Sequence, residues 1–169
     1  MIFGWLAVAG VLAVFALLVY RSWTAYRMDR LHDRCEAARA SLDAQLVRRA
    51  AAADALARDH VLADDHAKPL LDAVRAALAA DFEHRELVEN DLTRHLCALR
   101  WPPGDPRLGP VTAVASRMLV ARQIYNDAVR DSLALRRRRL PRALGLAGHT
   151  PAPRYFDIDD SLPGRTRSP

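Results

Sequence analysis

The first twenty residues, Met1 to Tyr20, contain no charged side chain. At 1.5 Å rise per residue, a helix of this length is about 30 Å long, the thickness of a bilayer's hydrocarbon core. Eleven of the twenty are Ile, Leu, Val or Phe. At about −0.3 to −0.6 kcal/mol each near the bilayer centre, they bound the insertion free energy at roughly −3 to −6 kcal/mol. Trp5 lies near one end and Tyr20, Trp23 and Tyr26 near the other, where interfacial aromatics belong. The stretch therefore predicts a transmembrane span from Ile2 to Tyr20, with the rest of the chain held at a membrane surface.

Other uses of an apolar start fit less well. A cleaved signal peptide needs a basic leading region, a shorter apolar run and a small-residue cleavage site. A lipoprotein needs a cysteine directly after the apolar run, and the first cysteine is Cys35. A buried core helix would carry an amphipathic stripe, which this stretch lacks. Ala9 and Ala13 form a small-xxx-small pair, but in so alanine-rich a helix composition explains them. Arg21, Arg27, Arg30 and Arg34 follow the span, so the positive-inside rule predicts a single-pass protein of the cell membrane. Its N-terminus would be outside and its C-terminal domain cytoplasmic.

Beyond the anchor, 1–21, the remaining length suits one domain. Net charge is +5, but it is unevenly spread. Residues 129–142 hold Arg130, Arg136 to Arg139 and Arg142 against Asp131, whereas 64–91 hold eight acids against three bases. A local basic cluster does not make a general nucleic-acid-binding surface, and no nucleic-acid partner is expected. Lys68 is the sole lysine among the cationic residues, the mark of a GC-rich coding bias. Cys35 and Cys97 have no CxxC or zinc spacing, and in a reducing cytoplasm they read as small buried hydrophobes.

From Ser22 to about Ala63 there is neither Pro nor Gly, and Leu31, Cys35, Ala38, Leu42, Leu46 and Ala53 recur at helical spacing. One long helix is expected to leave the membrane without interruption. Asp64, Asp65 and His66 read as a polar turn, with Pro69 in the first turn of the next helix. Leu71, Val74, Leu78 and Phe82 form one apolar run, and Val88, Leu92, Leu96 and Leu99 another. Glu83 to Glu86 interrupt them, so 67–101 is either one helix with an exposed waist or two helices, the second capped by Asp81. Trp101-Pro-Pro-Gly-Asp-Pro ends the segment. Pro110 starts a last helix that buries Val111, Val114, Met118, Ala121, Tyr125, Ala128 and Val129 and ends near Arg139. The helical domain thus covers 22–140. The tail, 141–169, is rich in Pro and Gly and has one apolar cluster, Tyr155, Phe156 and Ile158, suited to docking on the helices.

The run Ala121-Arg122-Gln123-Ile124-Tyr125-Asn126-Asp127-Ala128-Val129-Arg130 resembles the signature of the bacterial LemA family. Leu42-Asp43-Ala44-Gln45-Leu46-Val47-Arg48-Arg49 is similar to that family's first-helix motif. Leu140-Pro141, Leu144-Gly145-Leu146 and Tyr155-Phe156 fall where members carry a Phe-Pro, a Phe-Gly-Phe and a late aromatic pair. Ala50 to Ala53 depart from it, standing where members carry a proline-containing stretch. The resemblance implies a membrane-anchored, cytoplasmic, antiparallel four-helix bundle, and so favours two helices in 67–101; a continuous 67–101 would leave three. It implies no general catalytic activity. Asp43, Gln45, Arg48, Arg49, Arg122, Tyr125, Asn126 and Asp127 are the residues that match the motifs.

Chemistry-bearing patterns are sparse. His60, Asp64, Asp65 and His66 form an acid–histidine cluster, but one that also describes a solvated turn. Asp29-x-x-His32 and Asp81-x-x-His84 superficially resemble carboxylate-bridged metal bundles, which also need inward Glu residues and Glu-x-x-His pairs on the other helices. No nucleophile motif, phosphate loop or zincin pattern is present, and no cofactor or catalytic residue is assigned. Tyr125 lies in the apolar stripe, and Asn126 with Gln45 is expected to make an interhelical polar contact that fixes register. In an up-down-up-down bundle the last helix returns to the membrane, so Arg136, Arg137, Arg138 and Arg139 are expected to contact anionic lipid. Two functions from different classes remain. One is a non-enzymatic scaffold presenting a helical face to a protein partner, such as a membrane protein. The other is a small metal-binding or enzymatic bundle using the His, Asp and Glu clusters.

Overall fold

The computed structural model describes residues 2–59, 62–99, 101–102, 105–137, 152–159 and 161. Among these the fold is all-helical, with no strand, and comprises α1 (Ile2–Arg58), α2 (Asp64–Ala79), α3 (Arg85–Ala98) and α4 (Gly109–Arg136). A 3-10 turn, Pro106–Leu108, leads into α4. The chain divides into two compact units, one of Met1–Ala37 with Asp127–Arg154, the other of Ala38–Asn126 with Tyr155–Pro169.

The first unit contains the apolar start of α1. Its most apolar 18-residue window has a mean hydropathy of 2.3 and none of it is buried. Phe3, Trp5, Val11 and Phe15 are all exposed. Length and apolarity thus suit this helix, as expected, to crossing a membrane. Past the apolar stretch, Arg27 stacks over the Trp23 ring at 5.6 Å from its centroid. Cys35 and Leu135 are buried, and Arg34 Nη1 pairs with Asp131 Oδ2 at 3.7 Å. Asp127 pairs with Arg130 one turn on at 3.0 Å. Arg136 is half-buried and Arg137 exposed; Arg138 and Arg139 lie outside the described residues.

The second unit holds a continuous apolar core that includes Ala53, Leu70, Val74, Leu92, Leu96 and Val111. The stripe expected on the long helix is present: Ala38, Leu42, Leu46 and Ala53 are buried, and Arg49 and Ala50 join them. The stripe of α2 is rotated from the expected one. Leu70, Ala73, Val74 and Ala77 are buried, whereas Leu78 is 49% exposed. Cys97 is exposed, contrary to its reading as a buried hydrophobe.

Segment boundaries also differ from expectation. Asp64, Asp65 and His66 form the first turn of α2 instead of a separating loop. Two acids there complement the positive end of the helix dipole, so a polar run can open a helix as well as break one. Pro69 consequently sits in the second turn, where it removes one helical hydrogen bond. Residues 67–101 are two helices, not one. Ala80 is extended, and Asp81 Oδ1 accepts from the His84 backbone N–H at 3.0 Å and lies 2.7 Å from His84 Nδ1. Asp81 therefore closes the turn before α3 and does not cap α3 itself, whose N-cap is His84. These bonds from His84 hold the Asp81 carboxyl below its ordinary value.

Candidate functional site

Two polar arrangements stand out, both in the second unit. The first is a buried ion-pair network built on helical stripes. Arg49 follows Leu46 by three residues, which puts it on the buried face of α1. Its guanidinium donates to Glu89 Oε2 at 2.9 Å and to Thr93 Oγ1 at 2.6 Å. Thr93 Oγ1 donates in turn to the Glu89 carbonyl at 2.9 Å. Arg49, Glu89 and Thr93 are each at most 2% exposed. Burial pushes the Glu89 carboxyl above its ordinary value, while the Arg49 charge pulls in the opposite direction. One turn before Glu89, Arg85 donates to the Ala77 carbonyl at 2.5 Å and to Asp43 Oδ1 at 2.7 Å. It thereby satisfies a carbonyl in the last turn of α2 and ties that end to α1.

The second arrangement is a groove between α3 and α4 filled by residues 155–159. Along this segment Phe156 and Ile158 are buried, whereas Tyr155, Asp157 and Asp159 are exposed. That period of two is the pattern of an extended strand with one face inward. The Phe82 ring meets Phe156 at 5.1 Å and Tyr125 edge-on at 5.6 Å. Arg39 covers the Phe82 ring at 4.4 Å. Polar side chains hold the backbone from both walls. From α4, Asn126 accepts the Phe156 N–H at 2.9 Å and donates to the Phe156 carbonyl at 3.0 Å. One turn earlier, Arg122 donates to the Ile158 carbonyl at 3.2 Å and lies 3.5 Å from the Asp157 carboxylate. From α3, Glu86 accepts the Asp157 N–H at 2.9 Å, and Asn90 accepts the Asp159 N–H at 2.8 Å.

The motif residues are thus distributed rather than convergent. Asp43 and Arg49 belong to the ion-pair network, and Arg122, Tyr125 and Asn126 to the groove. Arg48 is exposed. The expected Gln45–Asn126 contact is not made. Asn126 bonds the Phe156 backbone, and the buried Gln45 Oε1 has no hydrogen-bond partner. An amide carries a donor and an acceptor, which match the two groups of one extended residue better than they match a second amide at fixed helix spacing. Arg85, Glu86, Glu89, Asn90 and Thr93 were not identifiable as site residues from their polarity alone. A positional signal existed: Leu99, Leu96 and Leu92, continued backwards at alternating three- and four-residue steps, reach Glu89 and Arg85.

His60 lies outside the described residues. Asp64, Asp65 and His66 occupy one helix turn, and Asp81 with His84 forms an exposed pair. Among the described residues no three or more His, Cys, Asp or Glu side chains come together as a metal site. In comparisons with known proteins, no family model matches the chain, and no curated protein or solved structure matches it.

Proposed function

We propose that this is a membrane-anchored, LemA-like protein acting as a non-enzymatic scaffold or interaction module at the inner face of a bacterial membrane. The observation that carries the reading is the unburied, uncharged first part of α1. Exposing that much apolar surface to water would cost several kcal/mol, which a bilayer removes. The arginines after the span favour a cytoplasmic location for the helical remainder. The resemblance at residues 42–49 and 121–130 adds an antiparallel four-helix arrangement, in which α4 runs back towards the membrane. The Arg34–Asp131 pair supports that course, because it brings α4 beside α1 within the anchor-bearing unit. In this arrangement Arg136 to Arg139 contact anionic lipid headgroups, each contributing about 1 kcal/mol. The partner is a protein recognised by surface complementarity, a membrane protein being the natural candidate.

Membrane extraction tests the anchor. Wild-type chain should resist alkaline extraction from membranes and require detergent. Replacing Val8 and Leu12 with Arg should release it, since each cation near the helix centre opposes insertion by about 2.5–3.5 kcal/mol. Alkaline release of the wild-type chain would refute the anchor. Purification from solubilised membranes should recover a stoichiometric protein partner, and stoichiometric bound metal instead would favour a metalloprotein.

A further inference from the structure

We infer that the α3–α4 groove is a recognition site for extended peptides with an apolar–acid–apolar pattern, held shut in cis by residues 155–159. This deepens the interaction-module reading and rests on it for the groove's role. The binding test needs no membrane, so its failure leaves the anchor untouched.

Three features carry the inference. First, the walls grip main chain: Asn126, Arg122, Glu86 and Asn90 hydrogen-bond backbone groups of 156–159. Main-chain groups are common to every extended peptide, so this supplies affinity without demanding one sequence. Second, specificity is confined to alternate side chains. Phe156 and Ile158 enter the apolar floor, and the outward Asp157 faces Arg122. Third, the occupant is a segment after α4 whose inward side chains number two. A linker of fifteen residues, 137–151, lies between α4 and residue 152. Because tail and groove belong to one chain, their association is intramolecular and is favoured over that of a free segment. A partner segment with the same pattern must overcome that advantage, which makes the tail an intramolecular competitor.

The test measures binding of a fluorescent peptide of residues 153–161 to the full chain in detergent. Phe156→Asp/Ile158→Asp releases the tail and should bind the peptide saturably and at least tenfold more tightly than wild type. Adding Asn126→Ala to the released chain should weaken binding at least tenfold. Methylating the peptide's Phe156 nitrogen, which removes the donor to Asn126, should do the same. A folded released chain that binds no peptide would overturn the inference, as would equal binding by wild type and released chain. Were the released chain unfolded, saturating peptide should restore a cooperative melt, and no restoration would overturn it equally. A wild-type dimer that dissociates on release would mean that tails exchange between copies, which overturns the cis arrangement.

Discussion

Replacing Glu89 with Ala is the most informative single perturbation of the second unit. The substitution leaves the Arg49 guanidinium, 2% exposed, without its carboxylate at 2.9 Å. Thr93 would still accept at 2.6 Å and the backbone carbonyl of residue 89 at 3.5 Å, so two hydrogen bonds survive but the charge is uncompensated. Breaking one side of a buried pair costs about 3–5 kcal/mol. For a domain of roughly 100 residues, about 4 °C per kcal/mol places the fall in Tm near 12–20 °C. Thermal melts of the full chain in detergent, followed by circular dichroism, read this directly. Replacing both partners, Arg49→Met with Glu89→Leu, should recover most of the loss or exceed wild type, because apolar residues of similar volume avoid the desolvation cost. A fall of less than about 4 °C for Glu89→Ala would mean that Arg49 is solvated and the network misread.

Further outcomes concern protonation, packing and lipid. Glu89 is raised above 4.5 in the folded state, so the folded chain binds that proton more readily than the unfolded one. The stabilisation gained by protonating it is full below pH 4.5 and is lost as pH rises through the folded value. Wild type should therefore lose stability relative to Glu89→Gln as pH rises through the folded value. Asp105 behaves oppositely. Bonds from Arg107 lower it to about 2 from 3.8, so its contribution is present above 3.8 and disappears on acidification towards 2. Asp105→Asn should abolish that part of the acid sensitivity in pH-dependent melts. Leu42→Ala and Met118→Ala, at 0% and 2% exposure, should each cost about 2–5 kcal/mol in denaturant titrations. An unchanged midpoint for both would misplace the core. Fragment 22–169 should sediment with anionic but not neutral liposomes, and changing Arg136 to Arg139 to Gln should abolish this; equal sedimentation would exclude the lipid contact.

The long first helix was legible because apolar spacing and the absence of breakers agree over its whole length after Gly10. The apolar span was legible for the same reason of uniformity. Chain breaks were harder. Asp64-Asp65-His66 has the composition of a turn, yet the acids favour a helix N-terminus, and only tertiary packing of Leu70 and Val74 decides between them. Periodicity alone does not decide the split at 80–84, where His84 bonds Asp81 and Arg85 bonds the Ala77 carbonyl. The ion-pair network is not legible from residue type, because charged side chains ordinarily face water. Position outweighed type there, since Arg49 pairs with Glu89 and Arg85 with Asp43 on faces otherwise apolar. The apolar cluster Tyr155, Phe156 and Ile158 announced a docking segment, but the groove's α3 wall, Glu86 and Asn90, has no signature in sequence because it binds main chain.

The central claim, an interaction module held at the cytoplasmic face of a membrane, is tested most directly by the accessibility of Cys97. Its side chain is exposed on α3, whereas Cys35 is buried, so a membrane-impermeant thiol reagent should report chiefly on the second unit without any engineered residue. The account predicts that in intact cells Cys97 stays unlabelled, and that after lysis it labels while the chain remains in the membrane pellet. Labelling of Cys97 before lysis would put the module on the opposite side and contradict the account.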